Sequence, residues 1–138
     1  MKAGGGPNWL SRDAVLAVQG ELLVRFGGLP GIRDEGLLES ALNRPVHLHP
    51  YGNPTLFEMA AATAEGVVKN HPFLDGNKRA GFMAAYIFLG INGWSLEAPE
   101  EEAVLQTLAL AAGEIKGGEF AAWLERSCVM EPPTPSRG

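Results

Sequence analysis

The stretch "AGFMAAYIFLGI", positions 80–91, constrains the fold of this chain more than any other. It is apolar around the whole helical wheel, and a helix of that kind is buried by its neighbours on every side. The spacing predicts a helix from Gly76 to about Asn92, stopped by Gly93 and set at the centre of a bundle. Its first turn is the anomaly. Asn77, Lys78 and Arg79 stand where aligned peptide dipoles already leave a partial positive charge, so two cations there are electrostatically misplaced. An anion supplied from outside would reverse the sign of that repulsion.

The rest of the chain reads as helices around this one. Ser11 is a helix N-cap, with Val15, Val18, Leu22 and Phe26 on one face and Gly27 and Gly28 as the stop. Asp34 opens a second helix carrying Leu37, Leu38, Ala41 and Leu42, closed at Pro45. Residues 44–54, "RPVHLHPYGNP", read as a loop or a small extended flap. Thr55 and Glu58 have the spacing of a capping box, and Pro72 should end the helix they start near Asn70. Pro99 and Glu100–Glu102 begin a further helix, with Val104, Leu108, Ala111 and Ile115 along one face. Gly117 and Gly118 break the chain before a last amphipathic segment with Phe120, Trp123 and Leu124. Six helices with hardly any strand make the fold class all-α. The domain is expected over residues 10–128, with flexible tails at 1–9 and 129–138.

Charge and cysteine content exclude whole classes of function. A formal net charge of −5 leaves no basic face for nucleic acid. Cys128 is the only cysteine, so no intrachain disulfide forms and a reducing compartment is the natural setting. The start "MKAGGGPNW" lacks the apolar core of a secretory signal. The run at 80–91 falls well short of the roughly 20 residues that span a bilayer. A cytoplasmic protein without membrane contact is expected.

The missing anion is most simply a nucleotide phosphate chain. With Asp75 as N-cap, the backbone amides of Gly76, Asn77, Lys78 and Arg79 have no intrahelical partner and form an anion site. Gly76 admits a phosphate close to the backbone, Lys78 adds a point charge, and Arg79 adds a planar fork. His71 precedes this cradle on a backbone restricted by Pro72, and imidazole is suited to proton transfer near neutral pH. A positioned base beside a polyphosphate implies a hydroxyl attacking a phosphoryl centre, with Asp75 as a carboxylate for Mg²⁺. Neither a Walker GxxxxGK[ST] nor a kinase HRD or DFG set occurs, so any nucleotide depends on this constellation.

"HPFLDGNKR", residues 71–79, resembles the HPFx[DN]GN signature of the Fic/Doc superfamily. Its Lys78-Arg79 ending is similar to the death-on-curing (Doc) branch. So is "GGLPGIRDEGLLESALNRP" at 27–45, and "YGNPTLFEMAA" and "FLGINGW" follow in matching order. The resemblance covers roughly residues 10–127. It implies a Fido-type helical bundle, and a toxin of a type II toxin–antitoxin pair that transfers the ATP γ-phosphate to a protein Ser or Thr. Translation elongation factor Tu is the family's described target. On that pattern His71 is the general base and Asp75 the Mg²⁺ ligand, with Gly76, Asn77, Lys78 and Arg79 around the phosphates. Many Fic enzymes carry an inhibitory [ST]xxxE[GN] helix; none is found here, so inhibition is expected in trans from a Phd-like antitoxin. Protein adenylylation, for which Gly76 speaks, is the enzymatic alternative. A non-catalytic domain that recognises an anion is the other.

Overall fold

Ser11, Asp34 and Thr55 each begin a helix in the way their side chains allow. In the computed structural model, which describes residues 6–131, Ser11 Oγ accepts from the Ala14 amide at 3.1 Å. Asp34 Oδ1 accepts from Leu37 at 3.0 Å. Thr55 and Glu58 complete a reciprocal capping box at 3.0 and 2.7 Å. Six helices result: α1 (Arg12–Phe26), α2 (Glu35–Leu48), α3 (Leu56–Asn70), α4 (Asn77–Ile91), α5 (Glu100–Ala112) and α6 (Gly117–Ser127). A two-stranded antiparallel sheet pairs β1 (Trp94–Leu96) with β2 (Cys128–Met130). The all-α expectation holds, with this short sheet added. Among the described residues no helix is long and apolar enough to cross a membrane.

The central position belongs to α3. It packs against α2, α4, α5 and α6, and buries Phe57, Met59, Ala60, Ala61, Ala64 and Val67 among others. Two glycines make the approach possible. A Cβ at Gly66 would lie 2.9 Å from Ala41 Cα on α2, and one at Gly81 would lie 2.6 Å from Val68 Cγ1. The backbones of α2, α3 and α4 therefore touch nearly directly, which fixes the start of α4 beside the end of α3. The expectation that α4 is buried on every side needs correction: Tyr86 and Ile91 are exposed. Small residues on several faces of α3 let neighbours close in all round, whereas Tyr86 on α4 keeps its hydroxyl in water.

Three boundaries differ from the sequence reading. Helix α2 does not close at Pro45 but runs to Leu48, because Pro45 is buried on the same face as Leu38 and Ala41. Packing on α3 continues the helix through a residue that forfeits one hydrogen bond and crowds the Ala41 carbonyl. The expected flap at 44–54 is thus helical at its start and a turn and bend thereafter. Helix α5 ends at Ala112 with left-handed Gly113, leaving Ile115 outside it, and it buries Ala103, Thr107 and Leu110 instead of the expected face. Thr107 hides its polarity by donating to Ala103 O at 2.8 Å, so counting apolar residues alone misplaces the buried side.

The described chain is held to the fold at both of its ends. Asn8 donates from its amide to Asn92 Oδ1 at 2.8 Å and from Nδ2 to Ile91 O at 2.9 Å. At the other end, β2 and the Glu131 amide, which donates to Gly93 O at 2.9 Å, hold the chain beyond 128. Residues 1–5 and 132–138 lie outside the described residues. Burial pushes the Cys128 thiol up to about 11, so it stays neutral and a poor nucleophile.

Candidate active site

The loop between α3 and α4 has no regular structure, and its shape is imposed from two sides. His71 caps α3 in the left-handed region, φ 53° and ψ 56°, a conformation that costs an L-residue on the order of 1 kcal/mol. Its amide donates to Val67 O at 3.1 Å. Its carbonyl accepts from Arg33 Nε at 2.7 Å, while Arg33 Nη2 donates to Asn70 O at 2.8 Å. One guanidinium thus satisfies two carbonyls at the negative end of α3. The Arg33 and Asp34 amides both donate to Pro72 O, at 2.6 and 3.1 Å, and Leu74 donates to Gly31 O at 3.1 Å. Phe73 is buried beneath the loop and bridges to Ile32.

From the other side the clasp is Asn77. Its Oδ1 accepts from the Phe73 amide and its Nδ2 donates to Phe73 O, each at 3.0 Å, and the residue is 9% exposed. The side chain expected against phosphate is committed to the loop, and what Asn77 still offers an anion is its backbone N–H. The helix begins one residue later than expected. Gly76, left-handed at φ 74°, is the N-cap in place of Asp75, a conformation that suits glycine. The first intrahelical bond runs from Ala80 to Gly76 O at 2.9 Å. The amides of Asn77, Lys78 and Arg79 precede it, and no side chain caps them.

The expected site residues fall on two flanks of this helix start. On the α5 flank, His71 and Lys78 line one cleft of about 470 Å³, with Leu105, Leu108 and Glu114 across from them. On the α1 flank, Asp75 accepts from the Leu29 amide at 3.2 Å and from Gly76 at 3.0 Å. Arg79 stacks its guanidinium 4.3 Å from the centroid of the Phe26 ring. Successive helical residues diverge by about 100°, so Lys78 and Arg79 cannot line the same wall. His71 and Lys78 are brought together; Arg79 and Asp75 are held towards the end of α1.

This combination of a left-handed histidine, an Asn77-clasped loop and an uncapped helix start lies within the span of one known family. The sequence profile of the Fic/DOC family matches residues 9–89. The chain belongs to the Fic/DOC family. It is 41% identical over 93 residues to the Toxin Doc of Mycolicibacterium smegmatis, covering 65% of this chain and 68% of that protein. It is 34% identical over 118 residues to the Protein kinase doc of Escherichia phage P1, covering 85% of this chain and 93% of that one.

The site of this Fic/DOC chain suits a nucleotide with Mg²⁺. Three amides without a partner among the described residues, with Lys78 beside them, are groups that could hold an anion. Asp75 spends one backbone contact on each carboxylate oxygen, which leaves lone pairs for a cation. Among the described residues no group of three acidic, histidine or cysteine side chains gathers for a metal. A single carboxylate is what Mg²⁺ uses when phosphates and water complete its shell.

One residue of this Fic/DOC site escaped the sequence reading. Gln19 of α1 is 4% exposed, and its Nε2 donates to the Asp75 carbonyl at 2.7 Å. Its Oε1 is buried without a partner among the described residues. The signal was its place four residues after Val15 on the buried face of α1, where a polar residue needs a reason. Gln19→Leu gives up one hydrogen bond and an orphaned acceptor together, so denaturation should find stability within about 1 kcal/mol of the parent. Gln19→Glu instead turns a carboxylate on the Asp75 carbonyl and should cost about 2 kcal/mol at neutral pH. Equal effects of the two would remove Gln19 from the support of the loop.

Proposed function

We propose that this Fic/DOC chain is a Doc-type toxin that transfers the γ-phosphate of ATP to a Ser or Thr hydroxyl of a protein. The observation that carries the reading is His71 and Lys78 in one cleft, beside an α4 start whose first amides are unpartnered. The name of the phage relative, Protein kinase doc, supports the same reaction. The acceptor is elongation factor Tu, so translation is what stops.

The chain's own groups divide the work. His71 takes the proton as the acceptor oxygen forms its bond to the γ-phosphorus and the bond to the bridging oxygen breaks, releasing ADP. The amides of residues 77–79 and Lys78 hold negative charge, a task for preorganised donors that need no reorganisation during reaction. Arg79, on the α1 flank, contributes charge from the other side. Asp75 would hold Mg²⁺, which would supply positive charge against the phosphates. Inhibition comes in trans from an antitoxin, and the site of action is the cytoplasm.

Gly76 favours the rival reading, adenylylation, because it matches the "DGN" of the Fic-like pattern. Incubation with Mg²⁺, purified elongation factor Tu and ATP labelled at either the α or the γ position separates the two. Label from γ alone is expected. Label from α alone overturns phosphorylation, and no label with either sinks the enzymatic assignment.

A further inference from the structure

The exposed face of α5 is unusually apolar for a surface that opens onto a reaction cleft. Val104 is 50% exposed, Leu105 67% and Leu108 45%. The last two line the cleft that holds His71 and Lys78, together with Ala112 and Glu114. Buried Ala103, Thr107 and Leu110 occupy the opposite side of α5, so this row is not core displaced outward. From Val104 to Ala112 it extends about 12 Å along the helix. One turn before it, on the same side, stands exposed Glu101; beyond its far end stands exposed Glu114.

From this continuity we infer that α5 is the docking surface for the acceptor polypeptide, with Leu105 and Leu108 receiving aliphatic side chains that flank the phosphorylated hydroxyl. The inference rests on the phosphotransfer reading above and adds the feature of the substrate that is recognised. A purine ring is the competing occupant, but it needs a slot that covers both its faces. Leu105 offers one open face, and the apolar row runs on outside the cleft to Val104. A chain laid along α5 covers the whole row and reaches His71 within the same cleft. Acidic residues at both ends call for Lys or Arg beside those aliphatic residues in the acceptor.

Steady-state transfer from ATP to elongation factor Tu tests this, comparing the parent with Leu105→Ser, Leu108→Ser and Glu101→Lys. The KM for the acceptor should rise about tenfold for each leucine variant, the effect of losing one buried aliphatic contact, while the KM for ATP stays at the parent value. Glu101→Lys should also raise the acceptor KM and flatten its dependence on salt. A raised KM for ATP with an unchanged acceptor KM would place the nucleotide base on α5 and overturn the proposal. Parent values throughout would overturn it too, assigning the face to a second copy or an antitoxin. No transfer by the parent protein is a different failure: it removes the phosphotransfer reading, and the docking surface with it.

Discussion

His71→Ala should lower phosphate transfer to elongation factor Tu by at least about a hundredfold, the usual contribution of a positioned general base. The protein should remain folded, because the imidazole is exposed and every contact found at residue 71 is made by its backbone. His71→Gly sharpens the test. Glycine adopts φ 53° without the Cβ penalty, so this variant should be more stable than the parent by up to about 1 kcal/mol while equally inactive. Urea denaturation and labelled transfer measured together check both halves. A protein that spends stability to hold one imidazole in the left-handed region, at the rim of an anion site, is holding it for use. Retained transfer in either variant would remove His71 from catalysis.

The second large effect is expected at Asn77, a buried residue whose side chain is bonded to the backbone of Phe73. Asn77→Leu keeps the branching at Cγ and removes both hydrogen bonds to Phe73. The Phe73 N–H and C=O are then buried without partners, at a cost of about 2–4 kcal/mol for the pair. Thermal denaturation should show a fall of that size, and transfer should be lost even well below the new midpoint. Asn77→Asp retains the acceptor for the Phe73 amide but turns an anion on the Phe73 carbonyl, so it should lie between the parent and the leucine variant. A stable, active Asn77→Leu protein would mean the loop is shaped by Arg33 and the segment 31–34 alone.

What could be read from sequence was what local chemistry decides. Caps at Ser11, Asp34 and Thr55, the end of α3 at Asn70 and the stop at Gly93 follow from side chains acting on adjacent backbone. The motif from His71 to Arg79 marked the site for the same reason: misplaced charge is a local conflict. What required coordinates was the outcome of competition between distant surfaces. Pro45 stays helical because α3 rewards it, and Thr107 is buried because its hydroxyl bonds within its own helix. Residues 75–79 were legible as a candidate site but not in their division between two flanks. Spacing could not separate Lys78 in the cleft from Arg79 on Phe26, nor show that Asn77 faces inward. The place of Gln19 on the buried face of α1 was readable, but not its partner, the Asp75 carbonyl 56 residues away.

The loop that bears the imidazole owes its order to a segment some forty residues upstream. Gly31, Ile32, Arg33 and Asp34 supply an edge of hydrogen bonds without which residues 71–74 have little reason to keep one shape. Damage to that connector, whether a proteolytic nick or a single exchange at Arg33, would therefore surface as failed chemistry in a protein whose reactive groups are all intact.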